Sequence, residues 1–229
     1  MLLTYKTVLT KKKLLVGNIF LFTFKLIDPP EINFIPGQYL ILKVNEKSRL
    51  YSIASPNTIK NRLEFIIEII PKGMASNYLM NLKENDEVSF QGPAGQFTLR
   101  ENNKQKIFLV TGTGIAPVRS MLKNFQFPIF NFQLFWGLKT YKDVYFLDEL
   151  KEFNLKICLS REQNFDMIPE LDRKYFDLGH VDKCIEKLFI NGLTDCEYYL
   201  CGRREVVDSL KNFLIFKNIP QENIIFEKF

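Results

Sequence analysis

Apolar residues fall in short runs through the first hundred positions and in longer alternating runs after that. Tyr39–Val44, Leu63–Ile70 and Val88–Phe90 are separated by Pro29-Pro30, Pro36-Gly37, Pro56-Asn57 and Gly92-Pro93. Short runs cut by Pro and Gly predict the strands of an all-β barrel or sandwich. Ala75–Leu82 breaks this rhythm and predicts a short helix. Near the start, Lys11-Lys12-Lys13 precede an apolar run, as in a signal peptide. No small-residue cleavage site follows, and Lys25 and Asp28 end the run. Its β-branched and aromatic content, with Gly17-Asn18 inside, predicts a strand or hairpin instead.

Beyond Glu101–Lys106, a polar boundary, the rhythm changes. Ile107–Thr111 predicts a buried strand, and Pro117–Phe125 a helix with Pro near its first turn. Phe132–Trp136, Leu155–Leu159, Tyr198–Cys201 and Ile224–Phe226 predict further strands. Phe146–Phe153, Val181–Phe189 and Glu205–Phe216 predict helices between them, with an irregular stretch after Leu159. Strands alternating with helices imply a mostly parallel α/β sheet with right-handed crossovers. The expected organisation is therefore two domains, an antiparallel β domain over residues 1–101 and an α/β domain with a Rossmann-like parallel sheet over 102–229.

Composition narrows the chemistry. The chain has 229 residues, 46% apolar, 25% charged and 14% aromatic, a globular balance long enough for one large or two small domains. Its 22 Phe read as compositional drift without functional meaning. His180 is the one histidine, which excludes a two-His catalytic site or a His-based metal cage in one chain. Cys158, Cys184, Cys196 and Cys201 lack the close spacing of an iron–sulfur cluster and do not suggest a disulfide framework. Reduced thiols in a cytoplasmic protein, with no metal, are expected. No run of 18 apolar residues exists, so no membrane span is expected. Residues 1–100 carry 13 Lys and Arg against 8 Asp and Glu, whereas 101–229 carry 18 of each. The surplus of +5 therefore sits wholly in the first part. It suits an acidic partner by steering, or is ordinary solubility charge. It is too scattered to argue for nucleic acid.

Two segments carry candidate chemistry. Gly112-Thr113-Gly114-Ile-Ala-Pro117 follows a strand directly. A Gly-rich turn between strand and helix lets backbone N–H groups approach a pyrophosphate at the helix N-terminus. The full dinucleotide fingerprint is not met, because Pro117 replaces the third glycine and no acidic residue closes the next strand. The same residues would also make an ordinary tight turn. Arg49-Leu50-Tyr51-Ser52 ends a β run and offers a phosphate fork, a flat ring and a small hydroxyl. Strand alternation puts Arg49 and Tyr51 on one face. The plainer alternative is an exposed Arg beside a core Tyr.

These segments belong to an ordered set. Pro36-Gly-Gln-Tyr39, Arg49-Leu-Tyr51-Ser52, Gly73-Met-Ala-Ser76, Gly92-Pro-Ala-Gly95-Gln-Phe97, Gly112-Thr-Gly114-Ile-Ala-Pro117, Cys201-Gly202 and Phe226-Glu-Lys-Phe229 occur in sequence. The set resembles the ferredoxin–NADP reductase superfamily over essentially the whole chain. The resemblance implies a flavin-binding antiparallel barrel followed by a nicotinamide-nucleotide domain. It implies that Arg49 holds the FAD pyrophosphate, with Leu50 beside it. Tyr51 would pack on the isoalloxazine, and Ser52 would hydrogen-bond its reactive nitrogen. Gly73, Met74, Ala75 and Ser76 would present N–H groups and a hydroxyl to the same pyrophosphate. Gly112, Thr113 and Gly114 would bind the nicotinamide nucleotide. Cys201 and Gly202 would lie beside its ring, and Glu227 and Phe229 near the flavin. Relatives often carry Tyr or Trp where Phe229 stands. For Cys201 the alternative is a small buried thiol, and for Glu227 a solvated tail residue.

Ser160 and Arg161, after the third α/β strand, match the place where NADP-using members bind the ribose 2′-phosphate. NADH-using members also carry this pair, so NADPH is expected with NADH as the alternative. The implied activity is hydride transfer from NADPH to bound FAD and onward delivery to a separate carrier, ferredoxin or flavodoxin. The alternatives are an NADH-dependent reductase component of an oxygenase, a flavin or quinone reductase, and a non-catalytic flavin or nucleotide sensor. A monomer is the expected state.

Overall fold

The computed structural model describes residues 2–124, 132–189 and 195–229. The chain divides into two compact units, residues 1–100 with 116–125 and residues 101–115 with 126–229.

The first unit is an antiparallel sheet of β1 (Leu3–Val16), β2 (Ile19–Asp28), β3 (Tyr39–Val44), β4 (Lys47–Ser52), β5 (Arg62–Glu68) and β6 (Glu87–Ala94). One helix, α1 (Met74–Asn81), lies between β5 and β6. The strand order is β4-β3-β6-β1-β2-β5. The sheet curls so that its two edges meet: the Ala54 N–H, just past β4, donates to the Glu64 carbonyl of β5 at 2.8 Å. The stretch that mimics a signal peptide is the β1–β2 hairpin, closed where Val16 pairs with Ile19. Tyr5, Thr7 and Leu9 alternate inward along β1 until the register shifts after Leu9. Past that shift Lys11 and Lys13 are exposed. Lys12 instead donates to the Met80 and Leu82 carbonyls at the end of α1, at 2.5 and 3.0 Å, where a helix terminus favours a cation. Phenylalanine does structural work here. Phe24 meets Phe90 edge-on at 5.2 Å, and Phe65 stacks on Phe90 at 5.0 Å.

Helix α2 (Ile115–Lys123) counts with this first unit over residues 116–125. Arg119 is buried and ion-paired with Glu64 at 2.8 Å, and it also donates to the Ala54 carbonyl at 2.9 Å. The Ser120 hydroxyl donates to the Ser55 carbonyl at 2.7 Å. The segment that follows β4 is thus fixed by buried polar contacts rather than by apolar packing alone. The helix starts two residues before the expected Pro117. Proline is tolerated there because first-turn N–H groups have no intrahelical acceptor.

The second unit is a parallel sheet of β7 (Gln105–Thr111), β8 (Phe132–Leu138), β9 (Leu155–Leu159), β10 (Phe176–Leu178), β11 (Cys196–Gly202) and β12 (Ile224–Lys228). Their order is β10-β9-β8-β7-β11-β12, and every neighbouring pair is parallel. Helices α4 (Val181–Phe189) and α5 (Arg204–Phe216) match the periodic stretches. The expected helix over Phe146–Phe153 is only α3 (Leu147–Leu150): Phe146, left-handed at φ 57°, stands outside it as the N-cap, and Lys151 closes it as the C-cap. The three-residue β10 lies inside the stretch read as irregular.

Beside the N-terminal ends of β7 and β11 lies a buried ion pair. Lys106 meets Glu197 at 2.8 Å, and the Glu197 carboxylate also accepts from Asn102 at 2.7 Å and from Tyr199 at 2.9 Å. Burial pushes the Glu197 carboxyl up, but these donors outweigh it and hold the group below its ordinary value. Removing one partner leaves the other charge buried alone. Glu197→Leu should therefore cost about 3–5 kcal/mol in urea unfolding, and adding Lys106→Met should recover most of it. A carboxyl depressed in the folded state contributes stability above its unfolded value, near 4.5, and that contribution is lost as pH falls below it. The wild-type unfolding free energy should thus decline more steeply below that pH than that of the double variant.

Candidate functional sites

In the second unit the strand order reverses beside β7: β8, β9 and β10 lie on one side, β11 and β12 on the other. Open α/β sheets bind ligands at the carboxyl ends of the strands at such a point. Those ends hold the sequence-predicted residues. β7 runs into a tight turn, Gly112–Gly114, and then into α2. A Cβ on Gly114 would stand 2.3 Å from the Cys201 carbonyl oxygen, and one on Gly202 would stand 2.2 Å from the Thr111 hydroxyl oxygen. Glycine at 114 lets the turn after β7 lie against the backbone of β11, and glycine at 202 leaves space for the Thr111 side chain. Gly112 has φ +53°, and a side chain there would meet nothing within 4 Å.

Cys201, Glu227 and Phe229 gather at the same end. Cys201 pairs in register with Val110 on one side and Glu227 on the other. The Phe229 N–H donates to the Gly202 carbonyl, and the Arg204 N–H donates to the Phe229 carbonyl, both at 3.2 Å. The Phe229 ring is exposed. The Cys201 thiol is pushed well up by burial and further by the Glu227 charge, so it stays a neutral, compact group and not a nucleophile. All four cysteines are buried free thiols.

Ser160 and Arg161 follow β9. The Ser160 N–H and hydroxyl both donate to the Leu138 carbonyl, at 3.0 and 3.2 Å, and the Arg161 N–H donates to the Lys139 carbonyl at 2.8 Å. The Arg161 side chain is exposed. Arg161 therefore presents a cation, while the Ser160 proton is already held within the loop. His180 is exposed, at the start of α4.

In the first unit, Arg49 and Leu50 are exposed on β4, and Tyr51 and Ser52 are half-buried. Tyr51 meets the edge of Phe65 at 6.3 Å, and burial pushes its phenol up to about 12 despite the nearby Arg49 charge. Gly73 precedes α1 with no side-chain cap, and Met74, Ala75 and Ser76 form its first turn. The Ser76 hydroxyl oxygen accepts from the Ile70 N–H at 2.9 Å, which leaves its proton to donate. Tyr51 and Met74 pack against one core cluster. The donor set suits FAD: a cation, a flat ring and a hydroxyl along one strand, and uncapped N–H groups at a helix start. In the second unit the glycine turn and the bare Gly202 likewise suit a nicotinamide nucleotide.

Sequence reasoning missed two further residues in the second unit. The Gly112 carbonyl accepts from Trp136 Nε1 at 3.0 Å and from the Tyr145 hydroxyl at 3.2 Å. The two rings meet edge-on at 4.8 Å. Their only sequence signal is that Trp136 is the one tryptophan of the chain. Among the described residues no group of His, Cys, Asp and Glu could hold a metal. No helix among them is long and apolar enough to cross a membrane.

Comparison with known proteins decides the family. The FAD-binding domain of oxidoreductases matches residues 6–99, and the NAD-binding domain of oxidoreductases matches residues 108–212. The chain belongs to the ferredoxin–NADP reductase superfamily. Within the superfamily it is 29% identical to the toluate 1,2-dioxygenase electron transfer component of Pseudomonas putida, over 98% of this chain and 67% of that one. It is 32% identical to the 2-halobenzoate 1,2-dioxygenase electron transfer component of Burkholderia cepacia, over 89% of this chain and 61% of that one. The chain spans about three-fifths to two-thirds of the length of these relatives. A solved ferredoxin NADP+ reductase from Neisseria gonorrhoeae, with bound FAD and NADP, shares the fold at a TM-score of 0.78. That match covers 98% of both chains at 19% identity. A cytochrome P450 reductase from Amycolatopsis shares it at 0.85 and 20% identity, over all of this chain and 70% of that one. The antiparallel FAD-binding unit and the parallel nucleotide-binding unit of the superfamily are thus both present.

The glycines of this superfamily member should respond unequally to substitution. Gly114→Ala forces a methyl group into a backbone carbonyl and should cost about 3 kcal/mol in denaturant unfolding, because the carbonyl has no rotamer to yield. Gly112→Ala has room and pays only for its left-handed conformation, roughly 1 kcal/mol. Equal costs would contradict the close approach of β7 and β11.

Proposed function

We propose that the chain is a reductase that takes hydride from a nicotinamide nucleotide and supplies electrons, through FAD, to a separate protein acceptor of the oxygenase type. The observation that carries this reading is the agreement between donor chemistry and domain matches. A phosphate-suited strand and helix start lie within the FAD-binding match, and a glycine turn at the strand-order reversal lies within the NAD-binding match. The acceptor class is supported by the relatives, which are electron transfer components of dioxygenases.

FAD, when bound, takes two electrons as hydride and can release them singly or in pairs. The chain supplies binding and orientation. Arg49 neutralises pyrophosphate charge, and the N–H groups of Met74, Ala75 and Ser76 with the Ser76 hydroxyl share that load, while the Gly73 N–H is held by the Ile70 carbonyl. Leu50 shields the phosphate from water. Tyr51 packs its neutral ring on the flavin, and Ser52 offers a hydroxyl to a ring nitrogen. Gly112, Thr113 and Gly114 present backbone to the nucleotide. Cys201 is a small uncharged thiol buried beneath the nicotinamide position, and Gly202 lets the end of its strand lie against Thr111 there. Burial, reinforced by the Glu227 charge, keeps that thiol neutral, and Phe229 presents an exposed ring. Positioning of this kind is worth on the order of 7–11 kcal/mol of barrier.

A second reading, NADPH as donor with ferredoxin or flavodoxin as carrier, is favoured by the exposed Arg161 and by the basic surplus of residues 1–100. A monomeric cytoplasmic protein, in two domains divided near residue 101, fits either reading. Anaerobic reduction by NADH and by NADPH, followed by reoxidation with an oxygenase ferredoxin, a flavodoxin or free flavin, separates the two. Fast reoxidation by the oxygenase ferredoxin is expected, NADPH preference with reoxidation by flavodoxin alone would favour the second reading, and no reduction by either nucleotide would refute both. Arg161→Ala should raise KM for NADPH about tenfold while leaving that for NADH within twofold, since a charge-assisted phosphate contact is worth about 1.5–3 kcal/mol. Arg49→Ala should lose FAD on desalting, measured as flavin absorbance per protein; full retention would remove Arg49 from the site.

A further inference from the structure

We propose that Trp136 and Tyr145 are positioning residues for the nucleotide: their two side-chain hydrogen bonds to the Gly112 carbonyl aim the Thr113 N–H at the bound pyrophosphate. The proposal rests on the reading of the glycine turn as the nucleotide site. Its physical basis is the planarity of one peptide unit. In a trans peptide the carbonyl and the following N–H lie in one plane and point in opposite directions. The Gly112–Thr113 bond is trans, since the cis bonds are those before Pro29 and Pro93. Wherever the Gly112 oxygen is drawn, the Thr113 N–H is therefore driven the other way.

That oxygen is drawn inward by two donors at once, Trp136 Nε1 at 3.0 Å and the Tyr145 hydroxyl at 3.2 Å. A carbonyl has two lone pairs, so the two bonds saturate it. Both donors are buried and stiff. Trp136 is 0% exposed on β8 and Tyr145 is 6% exposed ahead of α3, and each ring is braced against the other edge-on. Gly112 needs this restraint more than another residue would. It lacks a Cβ, takes φ +53° and has nothing within 4 Å on its side-chain face, so its own packing does not fix the peptide plane. Gly114 is held by its contact with β11, but Gly112 is held by these two side chains. The Thr113 N–H is thereby set before the nucleotide arrives, and preorganised donors lose less free energy on binding than donors that must be ordered by the ligand.

Tyr145→Phe removes its donor and keeps its ring, whereas Trp136→Phe removes its donor and also shrinks a fully buried ring, so unfolding and FAD content are read beside binding in every variant that carries it. NAD+ and NADP+ are titrated separately by calorimetry into the FAD-loaded wild type, both single variants and the double variant. Each single variant keeps one donor and should weaken binding about three- to ten-fold, the worth of one hydrogen bond. The double variant leaves the carbonyl unheld and should weaken binding about thirty-fold or more. FAD content should be unchanged, and KM for the nucleotide should rise while kcat at saturation stays within about twofold. A double variant that is folded, FAD-loaded and within twofold of wild type in nucleotide affinity overturns the proposal and leaves the reductase reading intact. A wild type that binds neither nucleotide overturns both. Should Trp136→Phe fail to fold, Tyr145→Phe decides alone: a loss of about threefold supports the proposal, and unchanged affinity overturns it.

Discussion

The approach of β7 to β11 at their carboxyl ends is the constraint on which the second unit depends. Two bare positions make it possible, Gly114 against the Cys201 carbonyl and Gly202 against the Thr111 hydroxyl. Once the strands touch there, the tight turn after β7 and the β11 end lie side by side, with Cys201, Gly202 and Gly114 buried beneath the half-buried Gly112 and Thr113. Strand order does the rest. With β8 on one flank and β11 on the other, the connections leave β7 and β11 in different directions, and a crevice opens where they part. The buried Lys106–Glu197 pair anchors the opposite ends of the same two strands. The pair of strands is thus tied at both ends by different physics, backbone contact at one and buried charge at the other.

The first unit depends on closure rather than on approach. Its sheet meets itself where the Ala54 N–H reaches the Glu64 carbonyl, immediately after the Arg49–Ser52 strand. Arg119 and Ser120 hold the backbone of Ala54 and Ser55 from α2 through two buried hydrogen bonds, the Glu64 N–H adds a partly buried one to the Ser55 hydroxyl, and Arg119 pairs with Glu64. Such a network is costly if incomplete and rigid when satisfied. The strand that carries Arg49 and Tyr51 gains precision from this rigidity, because a loop end would spread the same groups over many geometries.

The fold was legible in the chain because its two halves obey different periods. Pro and Gly punctuation marked the antiparallel unit, and continuous apolar runs such as Ile107–Val110 marked strands buried on both faces. The candidate site was legible where it is made of glycine, since only close approach or left-handed backbone requires that residue. What escaped notice is instructive. Helix α3 starts late because Phe146 takes a left-handed conformation its side chain does not advertise, and it ends already at Leu150. Strand β10 has three residues, too few to show a period. Arg119 sits on the helix face that apolar periodicity assigns to the core, and a charge there looks like an interruption until Glu64, 55 positions earlier, is seen to meet it. The Phe residues, read as drift, form the aromatic core of the first unit.

Trp136 and Tyr145 escaped for a deeper reason. A site that recognises phosphate through backbone N–H groups carries little side-chain signature of its own, and the residues that aim that backbone act from beneath it. They must be buried to be stiff, and a buried aromatic at strand spacing is indistinguishable in sequence from ordinary core. Their polar ends separate them from core: an indole N–H or a phenol hydroxyl under a glycine turn needs an acceptor, and the turn carbonyl is the one within reach. The same logic accounts for Ser160, whose hydroxyl is spent on the Leu138 carbonyl and shapes the loop that carries Arg161. In both places the groups proposed to meet the nucleotide are the more exposed ones, and the groups that fix their backbone point inward.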